Sequence, residues 1–124
     1  MQEMMKEWQN RLGLQDWRIK LNVDCAPHQM ADEGCEGCST FEESTKTARI
    51  DILDPKYYGD RVVPFDREKT LVHELMHLKL CLLDTNDNDL QSRLVHQTID
   101  DMARALVDAK RCGTNATTEV KNGE

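Results

Sequence analysis

The chain has 124 residues, enough for one domain, which at this size buries roughly two-thirds of the surface its unfolded chain exposes. Apolar residues make up 39%, adequate for a single core, and 16 basic against 23 acidic side chains leave a formal charge of -7. That balance argues against nucleic acid or an anionic membrane surface as a partner.

The amino-terminal stretch MQEMMKEWQNRLG carries Glu3, Lys6, Glu7 and Arg11, so it lacks the uninterrupted apolar segment of a signal peptide. No later apolar run approaches the roughly 20 residues of a membrane-spanning helix. A cytoplasmic protein without a membrane partner is expected. In that setting the five cysteines, Cys25, Cys35, Cys38, Cys81 and Cys112, are expected as thiols or metal ligands rather than structural disulfides.

Met4, Met5, Trp8 and Leu12 recur at helical spacing over residues 2–12, and Gly13 closes that helix. WRIKLNV then alternates Trp17, Ile19, Leu21 and Val23 with polar neighbours, which predicts a strand with those four on its buried face. Residues 24–37 have no period and read as a loop. CSTFEE and KTARIDIL predict two more strands around a turn near Ser44, with Ala48, Ile50 and Ile52 on one face and Arg49 and Asp51 on the other. Pro55, Gly59 and Pro64 make a connector.

Asp66 suits a helix N-cap, with Glu68 in the first turn, and the helix predicted over 67–83 is apolar on most sides, as in a buried central helix. The turn formers DTNDND (84–89) break it. A last helix over 90–111 carries Leu94, Val95, Ile99, Met102, Ala103, Leu106 and Val107 at helical intervals and is predicted to end at Cys112-Gly113. The expected organisation is one domain over 1–113 and a polar, disordered tail over 114–124. Its class is α+β: a first helix, a small, mainly antiparallel sheet of about three strands, and two further helices.

Residues 73–77 read His-Glu-Leu-Met-His. Residues four apart on a helix are rotated by about 40° and displaced by about 6 Å, so the imidazoles of His73 and His77 point the same way and can hold one ion. Glu74 lies beside such an ion, where a carboxylate can take a proton from metal-activated water. This is the HExxH arrangement of the zincin metallopeptidases. The plainer reading is two satisfied histidines on a buried helix.

A catalytic zinc site usually needs a third protein ligand. Leu80 and Leu83 stand where a metzincin has glycine and histidine, which excludes that subclass. Asp84 shares the helical face of His77 but lies roughly 10 Å along the axis. His96 follows His77 after eighteen residues, enough to finish one helix, turn and return along an antiparallel one. Asp100, four residues after His96, shares its face and could accept the other ring N–H of a ligand histidine, fixing its tautomer. Otherwise Asp100, like Asp101, is an ordinary solvated charge.

HELMH, an eighteen-residue gap and HQTID together resemble the gluzincin pattern HExxH-x18-E-x3-D, with the glutamate replaced by His96. The resemblance covers residues 67–107. It implies His96 as third ligand and Asp100 as support for a motif histidine. As a whole the chain is similar to the small zincin-like metallopeptidases of phages and prophages, with a tryptophan-containing amino terminus, a short sheet, an LVHEL helix and a final helix ending ARALV. A minimal zincin-like fold, a catalytic Zn²⁺ and a peptide or protein substrate are what that likeness implies. Three histidines form an all-nitrogen ligand set, still a competent zinc centre.

Cys25, His28, Cys35 and Cys38 have the spacing C-x2-H-x6-C-x2-C, compatible with a second, structural zinc. A reversible Cys35–Cys38 disulfide and unconnected thiols in a glycine-rich loop are the alternatives. Tyr57 or Tyr58 could stabilise an oxyanion or simply cap the core, and Met76 and Cys81 read as packing residues.

Three functions compete. The first is a zinc metallopeptidase with Glu74 as general base. The second is a non-catalytic, zinc-stabilised binding or regulatory domain on the zincin frame, in which the ion cross-links two helices; retention of Glu74 favours the first over it. The third is an adaptor built on the cysteines, with HELMH incidental. Oligomeric state has no signature in the sequence.

Overall fold

The structure, a computed structural model, describes residues 1–32, 34–83 and 89–122, leaving aside the side chains of 89 and 114–122. In chain order the elements are α1 (Gln2–Leu12), β1 (Arg18–Cys25), β2 (Gly37–Glu42), β3 (Thr47–Leu53), α2 (Arg67–Lys79) and α3 (Asp89–Asn122). Short 3₁₀ turns occur at Pro27–Gln29 and Pro55–Tyr57. The class is α+β, as expected, with a three-stranded sheet. Among the described residues, no helix is long and apolar enough to cross a membrane.

The sheet corrects one expectation. Its order is β1-β3-β2, and β1 runs parallel to β3, from Arg18 opposite Thr47 to Asn22 opposite Asp51. Only β2 is antiparallel to β3, so the sheet is mixed rather than mainly antiparallel. The tight turn at 43–46, with Lys46 at φ 53°, forces β2 and β3 into a hairpin. The longer connection at 26–36 lets the chain cross and place β1 on the far edge of β3. Alternation of apolar residues sets which face a strand buries, but carries no information on its neighbour's direction.

A second correction concerns β1. Trp17 and Leu21 are buried, but Val23 is 38% exposed. The pairing slips between Asn22 and Cys25, and Asp24 adopts φ 54°. This bulge breaks the two-residue period and sets Cys25 opposite Leu53, buried in a small cluster apart from the main core. In β3, Ile50 and Ile52 are completely buried as expected, but Asp51 on the opposite face is also only 2% exposed. Asn22 Nδ2 donates to its Oδ1 at 2.8 Å, and Arg49 Nη2 lies 3.0 Å from Oδ2 as an ion pair off the hydrogen-bond line.

The core explains why α2 is apolar nearly all round. Leu71, Val72, Leu75, Met76 and Leu78 are buried among Ile50 and Ile52 of the sheet, Met5 and Trp8 of α1, and Ile99, Ala103 and Val107 of α3. Each large aliphatic side chain so buried contributes about 1.5–3 kcal/mol. Met76 and Cys81 pack in or against this core, as expected of them.

Capping fixes where α2 begins. Asp66 Oδ1 accepts from the Lys69 backbone N–H at 3.1 Å, and Arg111 of α3 grips the same carboxylate at 2.7 and 3.0 Å. Glu68 accepts from Trp8 Nε1 at 2.8 Å and from Lys110 and Arg111, tying α1, α2 and α3 together. Burial opposes ionisation of Glu68, but the bonds from Lys110 and Trp8 outweigh it and hold its carboxyl below the usual range.

Helices α2 and α3 run antiparallel. Asp66 meets Arg111, Lys69 meets Asp108, His73 meets Asp100 and His77 meets His96, so one sequence number falls as its partner's rises. The turn predicted over 84–89, and Asp84 within it, lie outside the described residues apart from the start of α3 at 89. Helix α3 does not stop at Cys112-Gly113 but continues to Asn122, so the expected helix end is not observed. Among the described residues the positive-φ glycines are Gly13, which caps α1, and Gly59. A glycine that keeps helical angles weakens a helix by about 1 kcal/mol without ending it.

Candidate metal centre

Helix α2 presents His73 and His77 on one side, with ring centroids 5.1 Å apart and planes tilted by 51°. The antiparallel return of α3 brings His96 alongside, 4.9 Å from His77 and tilted by 57°. Two imidazoles sharing one zinc at Zn–N distances of about 2.0–2.1 Å and a tetrahedral angle have centroids roughly 5 Å apart. Both spacings are compatible with a shared ion. Among the described residues, however, no group of three histidine, cysteine or acidic donors is already arranged to hold one.

His73 is the most constrained of the three. Its side chain is 28% exposed, and Nδ1 lies 3.6 Å from Asp100 Oδ1, longer than a direct hydrogen bond. Burial holds the His73 pKa below its ordinary value despite the opposing charge of Asp100, which favours the neutral ring that a ligand needs. With Nδ1 facing the carboxylate, Nε2 is the nitrogen left for an ion. Asp100 is itself positioned by Arg104, whose Nη2 lies 2.8 Å from Oδ2, while Asp101 is exposed and pairs with the same Arg104. His96 is exposed on α3 and His77 half-buried.

Glu74 faces the sheet side of α2 and is 6% exposed. Burial raises its pKa to about 7, against the opposing effect of a hydrogen bond with Ser39 of β2. Strand β2 lies so close that a Cβ added at Gly37 would sit 2.7 Å from Thr70 Cγ2 and 3.2 Å from Glu74 Cγ. Gly37 and Ser39 are therefore site residues that motif reading misses. A glycine opening the strand GCSTFE was the available signal, since it marks close backbone approach. A cleft of about 460 Å³ opens here, lined by His73, Glu74, Gly37, Tyr58, Asp100 and Arg104 among others.

The cysteine region assembles only in part. Cys25 and Cys38 are buried with Met30 and Leu53 in a small apolar cluster separate from the main core, and Cys35 packs against it. His28 is exposed on the 3₁₀ turn and does not belong to the cluster. Tyr57 is 45% exposed, with the Lys56 ammonium over its ring. Tyr58 is buried, lines the cleft and donates its hydroxyl to the Val63 carbonyl, which commits that group to the connector loop.

Compared with protein-family models, curated proteins and solved structures, the chain matches none.

Proposed function

We propose that the protein is a zinc-dependent metallopeptidase of minimal zincin-like fold, in which His73, His77 and His96 would hold the ion and Glu74 is the general base. The observation that carries this reading is a row of three imidazoles across α2 and α3, of which His73 lines a cleft together with the buried Glu74 carboxylate. When bound, zinc supplies a Lewis acid that acidifies water and polarises a carbonyl.

The protein's own groups do the rest. Glu74, with a pKa of about 7, is poised to take a proton from the attacking water and to pass it to the leaving amine. Gly37 and Ser39 hold β2 against Glu74, and Asp100 orients His73. Strand β2 is one edge of the sheet. An extended peptide pairing with that edge would bring a carbonyl to Glu74. A peptide or protein substrate and a cytoplasmic, phage or prophage setting belong to the same reading.

The second reading is a non-catalytic domain in which zinc only ties α2 to α3, and the placement of His96 on a different helix from His73 and His77 is what favours it. Glu74→Gln separates the two. The zinc-loaded wild type should cleave members of a peptide library, and the variant should be slower by about 10²–10⁴-fold, the usual contribution of a general base. Equal traces from both would leave only the structural role.

A further inference from the structure

Residues 35–38 read Cys-Glu-Gly-Cys, and the fold treats its two thiols differently from the other three. Cys38 is fixed near the start of β2, 8% exposed, with its Sγ 3.6 Å from the Asp32 carbonyl. Cys35 precedes the strand in the loop, is half-exposed and lines the cleft. Cys35 packs against the small cluster that holds Cys38, separated from it in the chain by Glu36 and Gly37. Cys25 shares the apolar cluster, but its Sγ lies 3.6 Å from the Asn22 carbonyl, to which it donates. Cys81 packs against the main core, and Cys112 is exposed on α3.

We propose that Cys35 and Cys38 form a reversible thiol–disulfide exchange site that takes low-molecular-weight disulfides as its oxidant. This site is independent of zinc at the histidines. The Cys35 thiolate, reachable from the cleft, attacks one sulfur of the reagent; the reagent's S–S bond breaks, and one small thiolate leaves and takes up a proton. Cys38 then loses its proton and attacks the Cys35 sulfur of the mixed disulfide. A Cys35–Cys38 bond forms, and the second small thiol is expelled. Two protein thiols are thereby oxidised and one small disulfide is reduced to two thiols. Burial, first, and the neighbouring Cys38 push the Cys35 thiol up to about 11. Exchange is therefore slow at neutral pH and accelerates as pH rises.

Mass spectrometry of the full-length protein tests this. The chain is equilibrated in glutathione buffers from fully reduced to fully oxidised, acid-quenched, alkylated and digested. The expected result is one internal disulfide joining 35 and 38, reversed by excess reduced glutathione, with Cys25 alkylated only after unfolding. Cys35→Ser should leave Cys38 unmodified or bearing a single glutathione, and the wild-type peptide map locates the bond whether or not variants fold. Glutathione adducts without an internal bond, a disulfide engaging Cys25, Cys81 or Cys112, or thiols shielded by bound zinc would each overturn the proposal.

Discussion

His96 of α3 sets its ring 4.9 Å from that of His77 of α2, so any ion they share bridges two separate helices. Such an ion binds the folded chain and not the unfolded one. At a free zinc concentration a hundredfold above Kd it should add about 2.7 kcal/mol of stability. Melting curves with zinc and with chelator should differ accordingly in the wild type, and His96→Ala should lose most of the difference.

Asp100 faces His73 Nδ1 while remaining half-exposed. Asp100→Ala should therefore leave the fold intact but weaken zinc affinity by about 10–100-fold, the usual cost of removing the carboxylate behind a ligand histidine. Competition with a chromophoric chelator measures this. An unchanged affinity would make the carboxylate an ordinary surface charge.

The carboxylates at the start of α2 set a pH dependence. The bond from Arg111 holds the Asp66 carboxyl below its ordinary 3.8, and in Glu68 the bonds from Lys110 and Trp8 overcome burial to hold it below 4.5. Depressed values mean that the unfolded chain binds protons first. This stability is complete above about pH 5 and is lost as pH falls through the lowered folded values. Urea midpoints should drop over that range, and less steeply in Glu68→Gln. Glu68→Ala should cost about 1–3 kcal/mol at neutral pH by leaving the buried Trp8 Nε1 donor without its carboxylate, while Lys110 keeps its pair with Glu7.

Gly37 has no room for a side chain against Thr70. Gly37→Ala should destabilise by about 1–3 kcal/mol. Thr70→Ser, which removes the Cγ2 that would be struck at 2.7 Å, should recover part of the loss when the two changes are combined. A double-mutant cycle by urea unfolding reads the coupling. Strict additivity would mean that β2 shifts freely away from α2.

Local signals were legible in the sequence because they act within a turn or two of chain. Gly13 adopts φ 71° and Asp66 caps α2, both as spacing and residue type predict. The central burial of α2 followed from its apolar content on most sides. The direction of β1, the exposure of Val23 and the burial of Asp51 depend on which strand lies alongside and where the pairing slips, and neither is encoded in a two-residue period. In the site, the helical pair His73 and His77 was legible from spacing, and His96 and Asp100 from an antiparallel return. Gly37 and Ser39 were not, because their approach to Glu74 arises only once β2 packs on α2. The continuation of α3 through Gly113 shows that a glycine ends a helix only where it takes the left-handed conformation.

X-ray absorption of the zinc-loaded chain separates nitrogen from sulfur ligands by distance. Three histidine nitrogens and an oxygen at about 2.0–2.2 Å are predicted, with one nitrogen lost in His96→Ala. Scattering from sulfur at about 2.3 Å would place zinc at the cysteines. A spectrum unchanged by His96→Ala would likewise contradict a site built from His73, His77 and His96.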